Sequence, residues 1–89
     1  MSNYSLEIRK SVEKTFYKLA SKNPKQLESI EKKISEIVHN PHRYKNLRKP
    51  LQHLKRVHID KSFVIVFSVN EEIKCVIIED FYHHDKIYS

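Results

Sequence analysis

Between Arg43 and Lys61 the sequence carries seven Lys or Arg side chains and one acid, Asp60. The seven are Arg43, Lys45, Arg48, Lys49, Lys55, Arg56 and Lys61, and His53 and His58 stand among them. Residues 1–42 hold a surplus of three positive charges and residues 62–89 a surplus of three negative ones, so the chain's net +6 equals the charge of this one segment. A local block of this kind points to a polyanion site more strongly than a uniformly basic composition does. Arginine grips a phosphate through two parallel hydrogen bonds and never loses its charge. Histidine titrates close to neutral pH and can pass a proton. Arg56 and His58 lie two apart in Leu54-Lys55-Arg56-Val57-His58-Ile59, which alternates apolar and polar. As a strand, this stretch turns Val57 and Ile59 to one face and Arg56 and His58 to the other. A phosphate clamp and a proton carrier then share one surface. Other chemistries find little support. One cysteine and an adjacent His83-His84 pair lack zinc-ligand spacing, and no serine sits on a recognisable nucleophile turn.

The elements that must position these residues follow from hydrophobic period. Tyr4-Ser5-Leu6-Glu7-Ile8 alternates and predicts a short strand with one buried face. Val12, Phe16, Leu19 and Ala20 recur at helical spacing and predict a helix from about Arg9 to Lys22. Asn23-Pro24 is a helix start, since Asn caps and Pro fits the first helical position. Leu27, Ile30, Ile34, Ile37 and Val38 form the apolar stripe of a second helix, which should end near Asn40-Pro41. Residues 41–52 show no period and contain two prolines. They are expected to cross back to the sheet, with Leu47 and Leu51 anchored in the core. Three strands follow: Leu54–Ile59, Ser62–Val69 and Glu72–Glu79, joined by turns at Asp60-Lys61 and Asn70-Glu71. The second is apolar at nearly every position and so should be central. A polar, aromatic tail runs from Asp80 to Ser89. The expected fold is α+β in the order β-α-α-β-β-β: a helical hairpin on one face of a small, mostly antiparallel sheet, the other face partly open.

At 89 residues, 39% of them apolar and 31% charged, the chain has room for one globular domain, 1–89, with a thin core. No apolar run approaches a membrane span, and the opening residues do not form a signal peptide. The lone Cys75, inside Cys75-Val76-Ile77-Ile78, suits a buried role in a reducing cytoplasm. Lys10, Lys14, Lys18 and Lys22 repeat at i, i+4 on the first helix. They form a basic ridge, either a solvated face or a grip on a polyanion or on acidic residues of a partner.

In combination, three segments resemble the RelE/ParE superfamily of toxins: the crossing segment Asn40-Pro41…Leu47-Arg48-Lys49-Pro50-Leu51, the hairpin Leu54–Phe67, and the terminal His83-His84-Asp85-Lys86-Ile87-Tyr88. The tail looks most like the RelE branch. The resemblance covers nearly the whole chain and implies a type II toxin, an mRNA interferase that cuts messages on the ribosome without metal or cofactor. It also implies an acidic, helical, RelB-like antitoxin that wraps the domain, covers apolar surface and masks the basic face. On that resemblance Arg56 and His58 contact the scissile phosphate, and His83, His84 and Tyr88 supply further catalytic groups. Many members carry an arginine one residue after the aromatic of the central strand, where this sequence has Val64.

RNA cleavage of this type is attack of a ribose 2′-hydroxyl on its own 3′-phosphate. It needs a base, an acid and cations around the phosphorane. The expected assignment gives the cations to Arg56 with Arg48 or Lys49, and proton transfer to His58 with one of His83 and His84. Those two are neighbours on an extended chain and point opposite ways, so the other is structural. Tyr88 or Tyr82 would stack on a base, unless Tyr88 only packs the terminus. Arg43, Lys45, Lys55 and Lys61 are expected as general phosphate contacts. Two other readings stand beside this one: a ParE-like, non-catalytic inhibitor of a gyrase-type target, and a nucleic-acid-binding module without toxicity.

Overall fold

Helical spacing gives way to alternation near residue 54, and the fold follows that change of period. The computed structural model describes residues 4–83. It runs β1 (Ser5–Ile8), α1 (Lys10–Lys22), α2 (Pro24–His39), a 3-10 turn (Pro41–Arg43), β2 (Lys55–Ile59), β3 (Phe63–Asn70) and β4 (Cys75–His83). The strands form one sheet in the order β1-β4-β3-β2, with β1 parallel to β4 and the other pairs antiparallel. This is the expected α+β arrangement, with the helical hairpin on one face. No helix among the described residues is long and apolar enough to cross a membrane.

Asparagine does the punctuation in a chain that has no glycine. The Asn23 N–H closes α1 on the Leu19 carbonyl at 2.8 Å, and its side chain accepts from the Gln26 N–H at 3.2 Å to open α2. One residue thus ends one helix and caps the next, fixing the hairpin. Val12, Ile30, Ile34 and Ile37 then bury against Ile59, Ile65, Phe67, Val76 and Ile78 of the sheet. Phe67 is fully buried and meets the Tyr44 ring edge-on at 5.8 Å. Burying a side chain of this size contributes about 1.5–3 kcal/mol.

The last strand differs from the expectation at both ends. It begins at Cys75, because a four-residue turn, Glu71–Lys74, replaces the expected two-residue one. The Asn70 side chain accepts from the Glu72 and Ile73 N–H groups at 3.1 and 3.4 Å, and Lys74 takes a left-handed φ of 52° in place of a glycine. Ile73, expected inside the strand, is therefore an exposed turn residue. At the other end the strand continues through Asp80–His83, which the sequence assigned to a tail. The cause is a bulge. Val66 faces Asp80 while Phe67 faces Ile78, so Glu79 is an extra residue. The bulge switches parity, so Val76 and Ile78 before it and Phe81 after it all turn toward the helices. Phe81 stacks on Phe63 at 5.2 Å and meets Phe16 edge-on at 5.4 Å. The first strand also departs from its pattern: Leu6, expected to be buried, is 43% exposed.

An ion and hydrogen-bond cluster ties β1, the 3-10 turn and the β3–β4 turn together. The Tyr4 hydroxyl donates to Glu71 at 2.6 Å, the Lys74 ammonium donates to Glu71 at 2.6 Å, and His42 Nε2 also meets that carboxylate. The bonds from Lys74, Tyr4 and His42 lower the Glu71 pKa from its ordinary 4.5 to about 2. A carboxyl depressed by folding adds stability that is complete above its unfolded pKa and is lost as pH falls toward the folded value. Thermal melts should therefore show a contribution from Glu71 that fades between pH 4.5 and about 2. Glu71→Gln should flatten the curve across that window, and curves of equal slope would refute the cluster's role.

Candidate nucleic-acid interface

Strand parity sorts the candidate residues before any distance is measured. On β2, Lys55, Val57 and Ile59 share the helix side, and Arg56 and His58 share the other. The register then aligns His58 with Val64 and Val64 with Tyr82. His58 and Tyr82 therefore stand on one face, two strand spacings or about 9.5 Å apart, with Val64 between them. Val64 is fully buried and Val66 nearly so, although both face away from the helices. The segment between the 3-10 turn and β2 runs beside them.

That segment is a closed loop rather than an open crossing. Asn46 bridges to Lys55, the Leu47 N–H donates to the Leu54 carbonyl at 2.8 Å, and the Asn46 side chain donates to the Gln52 carbonyl at 2.7 Å. The Leu51 N–H donates to Arg48 and the Leu54 N–H to Leu51, each at 2.9 Å. Its walls and the strands enclose a groove of about 860 Å³ bordered by Arg43, Lys45, Arg48, Arg56, His58 and Tyr82. Leu47 and Leu51 border it as well. Leu51 is 47% exposed, so it lines the groove instead of anchoring the segment in the core as expected. No carboxylate of the described residues borders the groove. Lys45, Arg48 and Arg56 make no ion pair among the described residues, so their charge is directed at solvent.

The remaining candidates fall elsewhere. Lys55 was expected on phosphate, but it is 8% exposed and gives its ammonium to the Tyr44 carbonyl and to Asn46 Oδ1, both at 2.9 Å. It sits on the helix side because its parity is that of Phe67, its register partner. Its charge is committed to holding the loop. Lys49 and Lys61 are exposed but do not border the groove. His83 is on the opposite face, its ring edge-on to Phe63 at 5.1 Å. His84 and Tyr88 lie outside the described residues. Asn46 escaped the sequence reading, since a single asparagine in an aperiodic stretch gives no signal until its partners are known.

Beyond the groove, Glu79 closes the same sheet face. Burial pushes its pKa up, but the hydrogen bonds from Arg9 at 2.9 Å and Ser68 at 2.7 Å outweigh this and hold it below the ordinary range. His53 adds to the positive potential there. The bulged acid is thus neutralised locally and leaves the groove positive. Such a surface can bind a phosphodiester backbone between Arg56 and the loop cations, with a histidine and a tyrosine at opposite walls.

The family model for the ParE toxin of type II toxin–antitoxin system, parDE, matches residues 4–88. An uncharacterized protein of Methanosarcina mazei is 61% identical over 85 residues, covering 96% of this chain and 99% of its own. A Methanocaldococcus jannaschii protein bearing the toxin name RelE4 is 56% identical over 86 residues, covering 97% of this chain and 92% of its own. The fold is shared with a chain of the RelBE2 toxin–antitoxin complex of Mycobacterium tuberculosis, at a TM-score of 0.77 and 19% identity over 94% of each chain. It is also shared with a mutant of the Escherichia coli toxin RelE in the free state, at a TM-score of 0.70 and 21% identity over 91% of this chain and 82% of that one.

The two neighbouring cations of β2 should separate cleanly in mutagenesis. Lys55→Ala strands the Tyr44 carbonyl and the Asn46 side chain, which costs about 1.5–3 kcal/mol for hydrogen bonds to a charged group. Arg56→Ala, on the exposed face, should stay within about 0.5 kcal/mol of wild type. Urea unfolding measures both, and equal losses would contradict the structural assignment of Lys55.

Proposed function

The chain belongs to the RelE/ParE toxins of type II toxin–antitoxin systems, and on that premise we propose that it is a ribosome-dependent mRNA endonuclease held silent by an antitoxin. The observation that carries this reading is the groove, free of acids among the described residues, in which Arg56, Arg48 and Lys45 converge with His58 and Tyr82. In the reaction the 2′-oxygen loses its proton to a base and bonds to phosphorus. The bond to the 5′-oxygen breaks and that oxygen takes a proton from an acid, leaving a cyclic phosphate and a 5′-hydroxyl. Arg56, with Arg48 beside it, stabilises the crowded phosphorane. His58 carries one of the two protons and His84 the other, while Tyr82 or Tyr88 stacks on an unpaired base. A groove with few base-reading groups leaves presentation of the message to the ribosome.

A second reading is favoured by Val64. Its apolar side chain lies buried between His58 and Tyr82, where many superfamily members carry arginine. A ParE-like inhibitor that binds a protein target and cuts nothing would need no cation there.

Primer extension on a translated message, with ribosomes present and absent, decides between them. Cuts only with ribosomes are expected, with single-turnover rates falling about 10²–10⁴-fold in His58→Ala and about 10²–10³-fold in Arg56→Ala. Absence of cuts in both conditions would transfer the assignment to the inhibitor reading. Wild-type rates in both variants would remove the groove from the mechanism.

For the antitoxin, the proposed seat is the apolar groove of about 600 Å³ on the helix side, lined by Leu6, Ile8, Phe16, Tyr17, Leu27 and Ile34. An amphipathic helix fits a groove of this kind, and a chain of the same fold occurs in the RelBE2 complex. Tyr17 is 73% exposed and Leu6 43%, so replacing both disturbs the fold little. Leu6→Asp with Tyr17→Asp should weaken binding of the cognate antitoxin at least tenfold, about 1.4 kcal/mol, by calorimetry. Unchanged affinity would place the antitoxin elsewhere.

A further inference from the structure

The bulge at Glu79 decides which side chains of β4 reach the open face of the sheet. An extra residue reverses the parity of a strand beyond it, and bulges of this kind re-aim side chains beside functional sites. Here the residues turned to the open face are Asp80 and Tyr82, while Phe81 packs toward the helices. The register aligns Asp80 with Val66 and Val66 with Arg56, next to the row of Tyr82, Val64 and His58. Four side chains thus mark the corners of a rectangle, about 9.5 Å across the strands and about 7 Å along them. Arg56 and His58 hold one side, Asp80 and Tyr82 the other. Val64 and Val66, both buried, form the floor between them.

Asp80 is out of place among phosphate-binding groups. It does not border the basic groove but stands two residues from Tyr82, which does. It is exposed and makes no ion pair among the described residues. Its neighbour Glu79, in contrast, is bound by Arg9 and Ser68. Asp80 Oδ1 accepts from the Phe81 N–H at 2.8 Å, which steadies the carboxylate and leaves acceptor capacity on both oxygens. A carboxylate repels a phosphodiester. An RNA strand crossing this face therefore runs its backbone along β2 and the loop, and turns a base toward β4.

The chemistry of the acid selects the base. A carboxylate offers acceptors and no donor. Guanine presents two adjacent donors on its Watson–Crick edge, N1–H and N2–H, one for each oxygen. Adenine and cytosine place a ring-nitrogen acceptor beside their amino group, and uracil flanks its single donor with two carbonyls. Each of those three turns a lone pair on the carboxylate. Tyr82 supplies an aromatic surface of the kind on which unpaired bases stack. The apolar floor lowers the local dielectric and strengthens the hydrogen bonds made above it. We propose that Asp80 and Tyr82 form a guanine-reading site, with Tyr82 stacked on the base and Asp80 accepting from its N1–H and N2–H. This rests on the reading of the groove as an RNA site, and it adds a specificity-determining residue on the strand opposite Arg56 and His58.

The test reads a ratio of affinities, because removing the Asp80 charge strengthens binding to any RNA. Short uridine oligonucleotides carrying one central guanosine, adenosine or inosine are titrated against the full chain by fluorescence anisotropy at a fixed salt concentration. The wild-type chain should prefer guanosine to adenosine by roughly 5- to 150-fold, the equivalent of a good bidentate pair. Inosine, which lacks the N2 amino group, should fall between and needs no variant. Asp80→Asn keeps the oxygen that meets Phe81 and swaps one acceptor for a donor, so it should turn the preference toward adenosine. Asp80→Ala should bind the two alike. A wild-type ratio in Asp80→Asn overturns the proposal, as does a ratio near one in a wild-type chain that binds RNA. Failure to bind any of the oligonucleotides removes the groove reading and this site with it. Cleavage is scored separately: a chain that prefers guanosine but cuts nothing on ribosomes loses the endonuclease reading and keeps the site. Cuts that show no base preference and do not move in Asp80→Asn do the reverse.

Discussion

A strand that is apolar on both faces has to be covered on both, and in an 89-residue chain there is little to cover it with. In β3, Val64, Ile65, Val66 and Phe67 are all buried. The helical hairpin takes one side, through Ile30, Ile34 and Ile37. On the other side the loop between the 3-10 turn and β2 borders a groove together with Arg56, His58 and Tyr82. The face of β3 that the helices leave free is therefore the face on which Lys45, Arg48 and Arg56 gather.

Holding such a loop without glycine takes one core contact, Tyr44 on Phe67, and a set of hydrogen bonds. The buried ammonium of Lys55 is the centre, with the Tyr44 carbonyl and Asn46 as acceptors. A buried charge is costly unless fully partnered, and the loop supplies both partners from residues that precede β2. The side chain of Asn46 accepts from Lys55 and donates to the Gln52 carbonyl, so one residue joins the interior to the far end of the loop. The exposed cations depend on this arrangement although none of them takes part in it. Arg48 and Lys45 are carried into place by a lysine that faces the other way.

Much of this was legible in the sequence, because it follows from period. The order of elements, the hairpin turning at Asn23-Pro24, the central β3 and the shared face of Arg56 and His58 all come from spacing alone. What could not be read was set by events that spacing does not record. The bulge at Glu79 changes the parity of β4, so alternation stopped where the strand did not, and Phe81 and Tyr82 fell into an apparent tail. The Glu71–Lys74 turn depends on an asparagine side chain and a left-handed lysine, a substitute for glycine that no composition rule flags. In sequence, a lysine in a basic block looks like its neighbours, and only the parity that Lys55 shares with Val57 and Ile59 marks it as an inward-facing residue. The face of His83 followed from the same bulge.

Val64 sharpens the chemistry that the groove can perform. It occupies the register position between His58 and Tyr82, so a cation there would rise from the floor, held rigidly by the most buried strand. With valine in that place, every cation that the described residues give the groove stands on a rim: Arg56 on the edge strand β2, Arg43 on the 3-10 turn, and Lys45 and Arg48 on the loop. Rim cations bind phosphate well but are positioned less tightly than one rooted in the core, and stabilising a phosphorane rewards fixed geometry more than it rewards charge. On the proposed reading, such a surface clamps RNA and leaves the alignment of the reacting phosphate to the ribosome that presents the message.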